Sequence, residues 1–79
     1  MMREATIRSD VANPELVAAA VRPDNTPEME TLVEDGQVVT TIERETTSGL
    51  RSTVDDYVVN LTVAVTIEQS IETITDTNT

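Results

Sequence analysis

Leu50, Val54, Tyr57, Leu61 and Val65 recur at i, i+4, i+7, i+11 and i+15, which places them on one face of an α-helix. Val59, Val63 and Ile67 recur at i, i+4 and i+8 on nearly the opposite face. The spacing predicts a helix from about 49 to 71, with Ser48 as its N-cap. Residues 58–67 are also dense in β-branched side chains, and Leu61, Val63, Val65 and Ile67 alternate with Thr62, Ala64, Thr66 and Glu68. Alone, that stretch reads as a strand. The helix is preferred because the apolar series from Leu50 is unbroken and no turn residue divides it. A helix with two apolar stripes is either wholly buried or has a partner, and a chain this short cannot surround one helix.

The rest of the chain has clearer punctuation. Glu4-Ala5-Thr6-Ile7-Arg8 alternates as a short strand with Ala5 and Ile7 inward. Asn13-Pro14-Glu15 starts a helix, with Asn as N-cap, Pro at the first position and an acid in the first turn. Leu16, Val17, Ala20 and Val21 form its apolar face. Pro23 ends it, and Asp24-Asn25-Thr26-Pro27 is a loop. Met29 to Glu34 and Gln37 to Glu45 are hairpin arms about the turn Asp35-Gly36, a pair suited to positive φ angles. Val38, Thr40, Ile42 and Arg44 share one face of the second arm, and Val39, Thr41, Glu43 and Glu45 the other; the pattern does not choose between them. The predicted fold is α+β, in the order β-α-β-β-α. A three-stranded antiparallel sheet carries two helices packed on one face. Residues 1–72 form one domain, and 73–79 a frayed tail.

Seventy-nine residues make a small domain, of marginal stability without help. The sequence has no cysteine to form a disulfide or hold a metal, so oligomerisation is the available staple. Fifteen acids against five bases give a net charge of −10, and every base is arginine. An acidic surface without lysine suits molar salt, where repulsion is screened within about 3 Å. No segment is apolar enough to span a membrane, and Met1-Met2-Arg3-Glu4-Ala5 lacks the apolar core of a signal peptide, so a cytoplasmic location is expected.

Catalytic chemistry is poorly supplied. Without His, Cys or Lys, the common nucleophile–base pairs cannot be built. Asp55 and Asp56 are helix neighbours pointing about 100° apart, so their carboxylates do not converge on a metal. No cofactor or small-molecule substrate is expected. Tyr57, the only aromatic residue, reads as a core anchor with its hydroxyl at the rim. Arg51 lies in the first helical turn, where a cation opposes the dipole, and calls for Asp55 or another subunit as partner.

Leu50-Arg51-Ser52-Thr53-Val54, followed by Tyr57 and Leu61, resembles the signature of the small Pcc-type subunit of the KEOPS tRNA-modification complex. Asp24-Asn25-Thr26 stands where that family has its loop before the hairpin, and the resemblance spans roughly residues 3–71. It implies the β-α-β-β-α fold, a homodimer, and a non-catalytic scaffold. That scaffold binds the ASKHA-fold catalytic subunit, which installs threonylcarbamoyl on the tRNA adenosine next to the anticodon, and touches tRNA indirectly or weakly. Thr40 and Arg44 depart from the more apolar residues of the family. On this reading Leu50, Arg51, Ser52, Asp55, Val59, Val63 and Ile67 make contacts between chains, while Val54, Tyr57 and Leu61 belong to the core.

Two other readings compete. One is a stand-alone KH-like RNA-binding module, with Arg8, Arg44 and Arg51 as candidate RNA contacts; the Gly-x-x-Gly loop is absent and the net charge opposes phosphate. The other is a transcription cofactor acting by protein contacts.

Overall fold

The computed structural model describes the backbone of residues 2–77 and the side chains of residues 2–69. The chain folds as β1 (Arg3–Asp10), α1 (Pro14–Val21), a 3₁₀ turn (Arg22–Asp24), β2 (Met29–Glu34), β3 (Gln37–Arg44) and α2 (Thr47–Thr77). The sheet is antiparallel in the order β1-β3-β2. The α+β order is the predicted one. The loop expected at residues 24–27 begins instead as the 3₁₀ turn around Pro23.

Local chemistry explains each element. Asn13 caps α1, its side-chain oxygen accepting the Leu16 N–H at 3.3 Å, and Pro14 occupies the first turn. The β2–β3 turn holds Asp35 at φ 53° and Gly36 at φ 77°, the left-handed pair that a two-residue hairpin loop demands. The cap of α2 is Thr46, not Ser48. Thr46 Oγ1 accepts the Gly49 N–H at 3.0 Å and its carbonyl accepts the Leu50 N–H at 3.0 Å. The helix therefore starts two residues earlier than the spacing predicts. It also runs on to Thr77, so residues 73–77, expected to fray, are helical. Residues 78 and 79 lie outside the described residues.

Register selects the covered face of the sheet. Ile42 stands between Ala5 and Met29, Thr40 between Ile7 and Thr31, and Val38 between Ser9 and Val33. Val38, Thr40 and Ile42 are fully buried under the helices. α1 lies over β2 and β3, and α2 over β3 and β1. From α1 the core takes Val17, Ala18 and Val21. The predicted Ala20 faces solvent and Leu16 is 36% exposed; Ala18 holds the inward position.

Polar groups inside this core are paired. Asn25 Nδ2 donates to Thr31 Oγ1 at 2.7 Å, the Thr31 and Thr40 hydroxyls share a hydrogen bond at 2.8 Å, and Thr40 Oγ1 donates to the Tyr57 hydroxyl at 2.6 Å. Thr40 thus serves as a hydrogen-bonding partner for the helix where an aliphatic side chain would leave the phenol oxygen unmatched. The hydroxyl of Tyr57 is not at the rim as expected; the whole residue is 1% exposed. Burial pushes the Tyr57 phenol above its ordinary value, and the Thr40 hydrogen bond opposes this in part. A raised folded-state pKa favours the neutral phenol. Its contribution is complete below the unfolded value near pH 10 and is lost as pH climbs through the folded value. With no lysine or cysteine in the chain, Tyr57 is the one side chain titrating there. Denaturant midpoints should fall above about pH 10 in the wild type and stay level in Tyr57→Phe. An equal alkaline fall in both proteins would refute this.

Candidate functional site

The inward face of α2 is continuous. Tyr57 and Ala64 are buried, and Leu50, Val54, Leu61 and Val65 are half-buried against the same core. Glu68 follows on that face at 2% exposure, its Oε2 accepting the Asn13 N–H at 2.7 Å. The carboxylate therefore sits at the start of α1, where the helix dipole favours an anion. The sequence reading missed this residue. The available signal is its spacing, since Glu68 continues the series Tyr57, Leu61, Ala64 at i+11.

The opposite face is bare. Val59 is 62% exposed, Val63 53% and Ile67 51%, and Val58 beside them 44%. Most exposed apolar side chains are scattered, but these are aligned on one rigid helix. Val59 also borders a shallow groove with Asp56, Asn60, Asp24, Thr26 and Met29, which joins the stripe to the segment ahead of the hairpin. Of the other residues expected at contacts between chains, Arg51, Ser52 and Asp55 are exposed, whereas Leu50 packs toward the core. Arg51 and Asp55 do not pair: among the described residues Arg51 has no ion pair.

Arg8 and Arg44, two of the three candidate RNA contacts, lie on opposite faces of the sheet. Arg8 lies on the open face of the sheet, 3.8 Å from Glu34. Arg44 lies on the covered face, where its Nη1 donates to Thr53 Oγ1 at 2.6 Å. Gly49 makes room for that guanidinium: a Cβ there would stand 3.2 Å from Arg44 Nη2 and 2.9 Å from Thr46 Oγ1. Arg44 is thus a strut between β3 and α2. Around it the sheet end is acidic, with Glu28, Glu30, Glu43 and Glu45 lining shallow open depressions. The Glu28 carboxyl is held below its ordinary value by a hydrogen bond from Thr26, by its own backbone N–H and, less, by Arg44, with slight desolvation opposing them. Such a surface repels phosphate. Among the described residues, no group of three acids is placed to hold a metal ion, and no helix is long and apolar enough to cross a membrane.

The candidate site is an exposed apolar stripe on one helix, not a cleft. No protein-family model, curated protein or solved structure matches this chain.

Proposed function

We propose that this chain is a non-catalytic assembly subunit, and specifically a Pcc-type scaffold of a KEOPS-like tRNA-modification complex. On this reading it forms a homodimer and binds the ASKHA-fold subunit that transfers threonylcarbamoyl to tRNA. The observation that carries the proposal is the exposed row Val59, Val63 and Ile67 on a helix whose other face is committed to the core. Support comes also from the element order, which the Leu50-Arg51-Ser52-Thr53-Val54 resemblance implies. The placement of Arg8 and Arg44 on opposite faces of the sheet weighs against direct tRNA binding as the main role.

The test is co-elution with the purified catalytic subunit in high salt, which is expected for the wild type. Val63→Asp should keep the far-UV spectrum and lose the complex. Burying an unpaired carboxylate in an apolar contact costs about 3 kcal/mol or more, a loss above roughly a hundredfold in affinity. No co-elution of the wild type would refute the reading. Undiminished binding by Val63→Asp would remove the stripe from the contact.

A further inference from the structure

Val59, the first residue of the outer stripe, also borders the groove of about 430 Å³ between α2 and the segment ahead of the hairpin. Asp56, Val59 and Asn60 stand at i, i+3 and i+4, so they share one side of the helix. Asp24 and Thr26 face them from the other wall, and Met29 joins Val59 in the apolar part of the lining. The polar groups here are uncommitted. Among the described residues, the side chains of Asp24, Asp56 and Asn60 make no hydrogen bond or ion pair, while Thr26 is engaged with the Glu28 carboxylate. The chain brings no cation of its own to them. Arg22 donates to the Thr31 carbonyl at 3.3 Å, Arg44 to Thr53, and Arg8 lies beside Glu34.

Covering the stripe raises a problem of charge at this end. A surface that buries Val59 also takes Asp56, on the same side of the helix, and Asp24, across the groove, out of water. An ionised carboxylate removed from water without a counter-charge is strongly disfavoured. The groove therefore discriminates against a purely apolar partner and favours one that carries a positive charge at that place.

We propose that the protein covering the Val59–Val63–Ile67 stripe places a cationic side chain in this groove, its head group between Asp24, Asp56 and Asn60 and its aliphatic stem along Met29 and Val59. The proposal rests on the assembly reading above and states what the partner must carry. An arginine or a lysine has the required form, since a long methylene stem packs on apolar surface while the charge reaches the carboxylates. A metal ion does not fit, because no group of three acids is placed to hold one among the described residues. A second copy of this chain is the poorer source. It has five cations against fifteen acids, and Arg8, Arg22 and Arg44 are engaged within its own fold.

The experiment is calorimetric titration of the full chain with the purified catalytic subunit in high salt, with far-UV spectra to confirm folding. Asp24→Asn and Asp56→Asn keep the shape and remove the charge of side chains that the fold does not use, so both should stay folded. Each should weaken binding about tenfold or more, the size of one hydrogen bond to a charged group. Asp56→Arg sets cation against cation and should weaken it further than Asp56→Asn. Glu30→Gln removes the same charge from the open face of the sheet and should leave affinity unchanged, which separates a local pair from general attraction. Undiminished binding by both Asn variants, while Val63→Asp still abolishes it, refutes the groove and leaves the assembly reading standing. An equal loss in Glu30→Gln, or tighter binding by Asp56→Arg than by the wild type, refutes the cation as well. A wild type that fails to bind refutes the assembly reading, and the groove's occupant falls with it.

Discussion

Tyr57→Ala will abolish the fold in dilute buffer. The ring is 1% exposed, at the centre of the α2 contact with β3, and its hydroxyl terminates the Asn25–Thr31–Thr40 chain. Truncating a buried aromatic ring to alanine costs about 3–5 kcal/mol. A domain of this size has about 4–12 kcal/mol in total, and the ten uncompensated negative charges hold this one toward the low end. Molar salt should recover part of the structure by screening that repulsion. Tyr57→Phe keeps the ring and loses only the hydroxyl, at about 1–2 kcal/mol, so it should remain folded. Urea titrations of the three proteins at low and high salt give the answer. A Tyr57→Ala protein as stable as Tyr57→Phe would show that the ring is not the anchor.

Glu68→Ala comes next, with an expected loss of about 2–3 kcal/mol. The substitution deletes a charged acceptor from the Asn13 N–H and opens a gap between the two helices. It also removes an anion from the N-terminal end of α1. Glu68→Gln retains an acceptor oxygen and should lose roughly half as much. Because the bond ties α2 to the segment entering α1, amide exchange at Asn13 and in residues 15–18 should accelerate more than exchange in β3. A change within about 0.5 kcal/mol, the range of ordinary surface substitutions, would show that the contact is idle.

The elements that could be read in the sequence are those where a local rule acts alone. Asn13-Pro14 and Asp35-Gly36 each fix a backbone conformation within a few residues, and both stand as predicted. The helix at 58–67 was legible because spacing continued across a stretch of β-prone residues, so tertiary packing outweighs their propensity. The phase of α1 was not legible. All six residues from Leu16 to Val21 are apolar, so no polar position marks which side is out, and Ala18 rather than Ala20 faces the sheet. The inward face of β3 was hidden for a related reason. Thr40 and Arg44 look polar until Tyr57 and Thr53 are placed opposite them. Glu68 was missed because a buried acid declares itself only through its partner, and Asn13 lies 55 residues away. The outer stripe was visible because Val59, Val63 and Ile67 keep helical spacing of their own.

The β-prone stretch has a consequence for the chain before it folds. From Tyr57 to Ile67 there are eleven consecutive uncharged residues, without Pro or Gly, bounded by Asp55-Asp56 on one side and Glu68 on the other. While the packing that keeps them helical is absent, such a run is a template for cross-β stacking between molecules. The flanking carboxylates then act as gatekeepers, because stacked copies would bring like charges into register. Concentrated salt, which relieves the folded molecule of its repulsion, silences the same guards. Newly made chains in brine would therefore have to complete the long helix quickly to avoid becoming fibrils.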